Sequence, residues 1–210
     1  MIELYECSPV RSQRARWALE ELEIEYTKNF IDLFAGQQHS AEYRAIHPLG
    51  LLPAIKTDSY TIFESVAIVM QLIDEHPEKK LAPVFGTPER ASYYQWCVFA
   101  CSELDPYLMM YFDNSMKPLE AMRPAGRQHN VELAKRGRED FEVRAEMLSK
   151  ILSDRDYLVG SDFSGADILV GHSCFMATLM KLLDDYPVLK AYHERLKKRP
   201  AYQRAYTNKG

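Results

Sequence analysis

The chain has 210 residues, with 26 Lys and Arg against 30 Asp and Glu, which gives a formal net charge of −4. That balance argues against a protein whose main task is to neutralise nucleic-acid phosphates, because such proteins carry a basic face. A hydrophobic fraction of 47% with 27% charged residues is typical of a folded chain rather than a disordered one. We therefore expect a globular protein with a buried core and no nucleic-acid partner.

Cysteine content and the distribution of apolar residues predict the compartment. The four cysteines, Cys7, Cys97, Cys101 and Cys174, are too sparse for a disulfide-stapled secreted module. The amino terminus lacks the basic start and apolar core of a secretory signal. No run approaches the roughly 20 apolar residues that a membrane-spanning helix needs. We expect a cytoplasmic protein with no membrane association.

The first 77 residues change their hydrophobic period several times, which is typical of mixed strands and helices. Alternation and β-favouring bulk predict strands, and an amphipathic pattern around Trp17 and Leu22 predicts the first helix. The predicted elements are a strand over 2–6, the helix around Trp17, a strand over 25–32, a short helix within 36–47, strands over 54–57 and 60–63, and a helix from Ser65, as its cap, to about His76. The predicted order is βαβαββα.

From Pro88 onward every strong pattern is helical. Residues 88–113 predict one long, aromatic-rich helix that is interrupted at most by Pro106. Residues 117–129 carry loop signals, and two more helices are predicted over 131–153 and 187–199, the last one ended by Pro200. We expect an α/β domain over residues 1–77, a proline-containing linker over 78–87 and an all-helical domain over 88–210.

A capping box is the best local signal in the second half of the chain. Ser164 is expected to cap a helix, and Asp167 lies three residues later, where its carboxylate can bond back to the cap. Phe163 and Ile168 occupy the two hydrophobic staple positions. These residues predict the start of a helix near position 165.

Four segments, in this order, resemble the cytosolic glutathione transferase superfamily. Residues 11–22 look like the family's first helix, and 47–55 are similar to its Asn-Pro-x-Gly-Lys-Val-Pro-Ala-Leu segment. Phe63-Glu64-Ser65 falls where the family places Glu/Gln-Ser, and 164–167 match its capping box. The resemblance implies a thioredoxin-like α/β N-terminal domain (βαβαββα), followed by an all-α helical C-terminal domain.

The chemistry that the resemblance implies is activation of the glutathione thiol, with glutathione as co-substrate and no metal. A hydroxyl donor and a helix N-terminus both favour a thiolate. Ser12, near the start of the first helix, is the first candidate donor; the alternative is that it only caps this helix. Tyr5 is the rival, because its spacing from Arg16 resembles the tyrosine-type classes; its alternative is a packed strand aromatic. Ser8 is third, and Cys7 lacks the second thiol of a Cys-x-x-Cys pair.

The resemblance assigns the other groups of glutathione to the same domain. Pro53 corresponds to the family's cis-proline, which would present the backbone of Leu52 to the cysteinyl unit. Glu64 would pair with the γ-glutamyl ammonium, and Ser65 with the start of its helix would receive the carboxylate.

Other predicted contacts come from single positions. Arg11 corresponds to a residue that lies near the sulfur in the tyrosine-type classes. His39 is similar to a histidine that reaches the glycyl carboxylate in some classes. Leu51 stands where the family usually has Lys or Gln, which removes one expected anchor. The apolar co-substrate pocket is expected to be lined by Tyr107, Met110 and Tyr111.

We therefore expect a homodimeric glutathione transferase that attacks a small hydrophobic electrophile or a peroxide. Leu51 and the irregular loop after the first strand keep a non-enzymatic member of the fold open, such as the stringent-starvation type that binds RNA polymerase. A glutathione-dependent isomerase, dehalogenase or disulfide reductase is a third interpretation, since it would share the same site.

Overall fold

The computed structural model describes residues 1–115 and 129–207 of the chain. The chain forms two compact units, and each contains its own core. The first unit consists of Met1–Ala82 with the segment from Lys197 onward, and the second consists of Pro83–Leu196. Most of the predicted loop over 117–129 lies outside the described residues. Within the described ranges, no helix combines the length and apolar character needed to cross a membrane.

A mixed four-stranded sheet forms the centre of the first unit. Its strands are β1 (Ile2–Glu6), β2 (Tyr26–Phe30), β3 (Ala54–Lys56) and β4 (Thr61–Phe63), and their order in the sheet is β2-β1-β3-β4. β2 runs parallel to β1, whereas β3 is antiparallel to β1 and β4 is antiparallel to β3. The paired side chains of Leu4 and Ile55 are fully buried.

Three helices alternate with or follow these strands in the predicted order. The helices are α1 (Ser12–Leu22), α2 (Ala41–Arg44) and α3 (Ser65–Asp74). Because parallel strands cannot be joined by a tight turn, α1 makes the crossover from β1 to β2. α1 and α3 pack against each other, and Trp17 and Ile68 are fully buried. The prediction of a βαβαββα unit is confirmed.

The second unit is helical throughout its described residues. Its helices are α4 (Pro88–Phe99), α5 (Asp105–Ser115), α6 (Val131–Ile151), α7 (Gly165–Leu179) and α8 (Pro187–Lys197). A π-helical segment, Ala100–Leu104, joins α4 to α5, and the Asp105 N–H donates to the Ala100 carbonyl five residues earlier. Pro106 has no N–H and its ring crowds the preceding turn of a helix. The wider turn lets the long predicted helix continue through this proline.

The predicted capping box is present at the start of α7. Asp167 is fully buried, and its carboxylate accepts hydrogen bonds from the Ser164 backbone N–H at 2.9 Å and hydroxyl at 3.1 Å. It also accepts from the Leu158 N–H at 3.0 Å and the Tyr192 hydroxyl at 2.9 Å. One side chain therefore ties the start of α7 to the preceding loop and to α8.

The prediction that Pro200 ends the last helix is wrong. α8 ends at Lys197, and Pro200 instead begins a further helix, α9 (Pro200–Tyr206). Proline is favoured at the first position of a helix, because its fixed φ fits and no helical donor is lost there. α9 packs on α1, where the Trp17 and Tyr202 rings meet edge to face at 4.9 Å.

Candidate functional site

One end of the sheet gathers most of the predicted site segments. Tyr5 of β1 pairs with Ala54 of β3, which pairs with Phe63 of β4. β1 and β4 therefore run in the same direction, and β3 runs in the opposite one. As a result the β1–α1 loop, Leu52–Pro53 and Glu64–Ser65 all lie at the same end of the sheet.

The segment before β3 has the predicted backbone geometry. The Leu52–Pro53 peptide is cis, which confirms that prediction, and Pro53 is buried whereas Leu52 is half-buried. The Leu51 carbonyl accepts a hydrogen bond from the Tyr43 hydroxyl, and the Leu51 side chain is 54% exposed. The position where the resemblance leads one to expect Lys or Gln therefore presents an exposed apolar side chain.

The segment after β4 begins α3 in a different way from the one predicted. Glu64, not Ser65, is the N-cap residue; it has a φ of 74° and its side chain forms no capping bond. Ser65 is the first helical residue, is 6% exposed, and accepts a hydrogen bond from the Arg14 guanidinium at 3.4 Å. The first turn of α3 holds no acidic side chain. Its N–H groups can therefore receive a carboxylate.

A single hydroxyl closes the β1–α1 loop. Ser12 is fully buried; its hydroxyl accepts from the Cys7 N–H at 3.2 Å and donates to the Cys7 carbonyl. Ser8 is half-buried, and within the described residues its hydroxyl has no hydrogen-bond partner. Arg11 is the exposed N-cap of α1, and no acidic side chain lies in the first turn of that helix. The groups of this loop that are available to an anion are therefore the Ser8 hydroxyl and the N-terminus of α1.

Tyr5 and Cys7, two other groups near this loop, both have a raised pKa. The Tyr5 hydroxyl donates to Glu3 at 3.1 Å, and burial followed by this bond raises the pKa of Tyr5. Burial also raises the pKa of the Cys7 thiol, which is 8% exposed. A thiol with a raised pKa is a poor nucleophile at neutral pH. Across residues 1–115 and 129–207, no cluster of His, Cys, Asp and Glu side chains could hold a metal ion.

His39 lies in a turn that packs closely on the segment before β3. The imidazole is exposed, and Gly50, with a φ of +64°, lies against the Gln38 backbone and the His39 side chain. A Cβ at Gly50 would overlap the Gln38 carbonyl oxygen and lie 3.3 Å from His39 Nδ1. The close approach to the Gln38 backbone, together with the positive φ, therefore requires glycine at position 50.

His47 is a residue whose chemistry the sequence analysis did not consider. Its side chain is 2% exposed, and its ring lies 4.5 Å from the Phe63 ring and 6.5 Å from the Tyr43 ring. Burial lowers the pKa of His47, and the charge of Glu64 partly raises it. A histidine in the position of the family's asparagine was the signal that could have found it.

The three predicted pocket residues lie together on α5 in the second unit. Tyr107, Met110 and Tyr111 are half-buried and surround Gly137 of α6, where a Cβ would lie 2.7–3.1 Å from their atoms. The Tyr107 hydroxyl accepts a hydrogen bond from Arg144 at 3.1 Å. Part of this surface of α5 is therefore used in packing against α6.

Sequence models of the Glutathione S-transferase N-terminal and C-terminal domains match residues 2–85 and 128–208 of the chain. The chain belongs to the cytosolic glutathione transferase superfamily. The "Probable maleylacetoacetate isomerase 2" of Drosophila melanogaster is 29% identical over 202 residues, covering 93% of this chain and 82% of that protein. The "Disulfide-bond oxidoreductase YfcG" of Escherichia coli is 28% identical over 209 residues, covering 96% and 92%.

A solved structure of the superfamily shows the same fold. The sphingomonad glutathione S-transferase complexed with glutathione has a TM-score of 0.83 and 25% sequence identity, and the match covers 97% of this chain and 96% of that one. The prediction of the superfamily from its four sequence segments is confirmed.

Proposed function

We propose that the protein binds glutathione at this end of the sheet and activates its thiol for attack on a small hydrophobic electrophile. The convergence of the β1–α1 loop, Leu52–Pro53 and Glu64–Ser65 carries the proposal. The γ-glutamyl carboxylate would meet the N-terminus of α3 and Ser65, while its ammonium would pair with Glu64. The cysteinyl backbone would pair with Leu52 as a short added strand. The thiol would then lie beside the start of α1.

Activation of the thiol requires stabilisation of its anion. A free thiol has a pKa of about 8.5, so that only a few per cent is thiolate at neutral pH. The N-terminus of α1 and the Arg11 cation favour the anion electrostatically. We assign the hydroxyl donor to Ser8, because the Ser12 hydroxyl is used by Cys7 and the Tyr5 hydroxyl by Glu3.

The reaction follows from that thiolate. The thiol proton leaves to solvent, the sulfur forms a bond to the electrophilic carbon, and a leaving group such as chloride departs with the electron pair. His39 remains the proposed partner of the glycyl carboxylate. Contact of the electrophile with Tyr107, Met110 and Tyr111 stays a prediction.

Retention on immobilised glutathione and conjugation of a chloro-dinitro aromatic test the proposal. We expect Glu64→Gln to weaken retention at least about tenfold, since a charge-assisted bond is worth about 1.5–3 kcal/mol. The matched control is Glu78→Gln, which changes an exposed carboxylate in the turn after α3. A folded wild-type protein that is neither retained nor active would overturn the proposal.

Isomerisation and disulfide reduction are second candidates, because two relatives carry these activities in their names. Both reactions can use the same glutathione thiolate and differ in the second substrate. A panel of the chloro-dinitro aromatic, maleylacetoacetate and a glutathione mixed disulfide would rank the three reactions. Retention without turnover of any of them would instead favour a non-enzymatic, partner-binding role.

We also infer that the protein is a cytoplasmic homodimer. On α4, Tyr94 is 37% exposed and Val98, one turn later, is 53% exposed. These apolar side chains on one helix face support self-association. Sedimentation equilibrium of the full chain tests the inference, and a monomer at micromolar concentration would contradict it.

A further inference from the structure

A buried arginine contacts the hydroxyl at the proposed carboxylate subsite. Arg14 lies in the first turn of α1 and is fully buried. Its guanidinium Nη1 donates to the Ser65 hydroxyl at 3.4 Å, and Ser65 is the first residue of α3. One hydrogen bond therefore joins the first turns of the two helices whose N-termini belong to the proposed site.

The Ser65 hydroxyl still has a proton to donate. A serine hydroxyl can donate one hydrogen bond and accept two. Ser65 is 6% exposed, and across residues 1–115 and 129–207 its hydroxyl accepts from Arg14 but donates to no acceptor. Because a guanidinium has only donors, it must meet a lone pair of this hydroxyl, and the hydroxyl proton is directed elsewhere. A buried hydroxyl in this state, at a helix N-terminus, is suited to a ligand carboxylate.

The charge of Arg14 acts in the same direction. A guanidinium remains positively charged when it is buried, and a buried charge is screened much less than an exposed one. Neither α1 nor α3 carries an acidic side chain in its first turn. A carboxylate at Ser65 would therefore be stabilised by this cation as well as by the helix N–H groups.

We propose that Arg14 is a positioning residue for the γ-glutamyl carboxylate of glutathione. It orients the Ser65 hydroxyl and favours negative charge beside it, and it thereby sets the preference of the protein for ligands that carry this carboxylate. The inference rests on the proposed function, because it takes Ser65 as the group that receives the carboxylate. Arg14 acts through Ser65 and does not touch the ligand.

Two probes that differ by one group measure this preference. S-methylglutathione carries the γ-glutamyl carboxylate, whereas its γ-aminobutyryl analogue keeps the ammonium and lacks that carboxylate. We expect the wild-type protein to bind S-methylglutathione about ten- to hundredfold more tightly than the analogue, as for hydrogen bonds to a charged group. The ratio of the two Kd values is insensitive to partial unfolding of a variant, because a smaller competent fraction weakens both probes equally.

Substitutions at Arg14 should lower this ratio of Kd values. Arg14→Lys keeps the charge but loses the planar fork of donors, and we expect a ratio at least about threefold smaller. Arg14→Gln also removes the charge and should lower the ratio further. The matched control is Arg16→Lys, at a second buried arginine of α1, which donates to the Arg204 and Thr207 carbonyls and should keep the wild-type ratio.

A double-mutant cycle tests whether Arg14 acts through Ser65. Ser65→Ala alone should lower the ratio of Kd values, because the hydroxyl that meets the carboxylate is removed. In the Ser65→Ala background, Arg14→Lys should cause no further loss, since the two residues act as one unit. A further loss in that background would show that Arg14 acts independently of Ser65, and it would overturn the inference.

NMR spectra of the guanidinium groups provide a measurement that needs no change at Arg14. The signal that Ser65→Ala displaces identifies Arg14 in the wild-type spectrum. S-methylglutathione should shift this signal, whereas the γ-aminobutyryl analogue should leave it in place. If no guanidinium signal distinguishes the two probes, the inference is overturned, even where the Arg14 variants do not fold.

The binding data separate failure of the inference from failure of the proposed function. Folded Arg14 variants that keep the wild-type ratio overturn the inference and leave the proposed function standing. Equal binding of the two probes by the wild-type protein overturns the inference together with the assignment of the carboxylate to Ser65. A folded wild-type protein that binds neither probe overturns the proposed function as well.

Discussion

At the scale of single residues, the Ser12 and Ser8 hydroxyls differ in what they contact within the same loop. Ser12 fastens the loop by bonding to both backbone groups of Cys7, and it is fully buried. Removing a buried hydroxyl that makes two hydrogen bonds costs about 1–3 kcal/mol, because two backbone groups lose their partner. Ser12 therefore positions the loop, which leaves Ser8 as the hydroxyl donor that we propose for the ligand.

The first prediction separates these tasks. Ser8→Ala should raise the pKa of the glutathione thiol in the complex by about one unit, since one hydrogen bond to the anion is lost. Tyr5→Phe should leave that pKa unchanged, and Ser12→Ala should mainly lower the free energy of unfolding. Ultraviolet absorbance of the bound thiolate against pH gives the pKa, and urea unfolding gives the stability. If Ser12→Ala or Tyr5→Phe shifted the thiol pKa while Ser8→Ala did not, the assignment to Ser8 would be wrong.

The second prediction concerns the turn that carries His39. Gly50→Ala should displace the Gln38–His39 backbone, because the new Cβ overlaps the Gln38 carbonyl and the φ of +64° disfavours a side chain. We expect weaker binding of glutathione, while γ-glutamylcysteine, which lacks the glycyl group, is bound with nearly unchanged affinity. Gly36→Ala, at the glycine just before the turn that carries His39, has a similar φ but nothing near its Cβ and is the matched control. Equal losses for both peptides would contradict a link to His39.

Individual side chains also show where sequence reasoning ends. The motif around Pro53 predicts the position of a cis peptide, and Glu64-Ser65 predicts a helix start at the ligand. The hydrogen-bond partner of each hydroxyl depends on the conformation of the loop between Cys7 and Ser12, and no sequence pattern predicts that conformation. For the same reason Ser65 was predicted as a cap, although it is the first residue inside the helix.

At the scale of elements, the contact between α5 and α6 depends on one glycine. Gly137 lets the helices approach so closely that a Cβ would lie 2.7 Å from the Tyr111 backbone nitrogen and 2.9 Å from the Tyr107 carbonyl oxygen. These are backbone atoms, which cannot move away as a flexible side chain can. The helices would have to separate to accept any larger residue.

The third prediction follows from this crossing. Gly137→Ala should lower the free energy of unfolding by about 1–3 kcal/mol through overpacking, although alanine is the better helix former. Glu139→Ala, at an exposed position of the same helix, should change stability by less than about 0.5 kcal/mol. Urea unfolding followed by circular dichroism measures both. Stabilisation by Gly137→Ala would mean that helix propensity outweighs the close contact.

The fourth prediction tests the capping box of α7. Burial raises the pKa of Asp167 to about 6, so that the carboxylate is ionised at pH 7.5 and accepts all its hydrogen bonds. Asp167→Asn replaces one acceptor oxygen by a donor that faces other donors, and it should cost about 2–4 kcal/mol. Asp162→Asn, at an exposed position nearby, is the control. Equal urea midpoints for the two variants would show that the hydrogen bonds of Asp167 do not contribute to the free energy of unfolding.

The helices differ in how well the sequence predicts them. Periodicity and the capping box predict the helices of the second unit, because these signals are local. α9 was missed because proline is both a helix breaker and a favoured first residue. Only the packing of Tyr202 on Trp17, residues far apart in the chain, distinguishes the two outcomes.

At the scale of the whole molecule, α1 and α9, which are far apart in the sequence, meet in the first unit. Arg199 forms a two-point ion pair with Glu21, and Arg204 bonds to Glu20, so α9 is tied to α1 by charge as well as by aromatic packing. α1 also begins at the proposed thiol site. The C-terminal helix therefore supports the helix that would stabilise the thiolate, although it lies outside the segment that the N-terminal family model matches.

The last prediction tests this support with the two tryptophans of the chain as reporters. In a Trp96→Phe background, fluorescence follows Trp17, whose ring is fully buried against Tyr202. Tyr202→Ala should lower the Trp17-reported free energy of unfolding by about 3–5 kcal/mol, as expected for truncation of a buried aromatic residue. Gln203→Ala, on the exposed side of α9, should have little effect. An unchanged urea midpoint in Tyr202→Ala would show that the first unit does not depend on α9, and that the N-terminal segment alone supplies the stability of the proposed site.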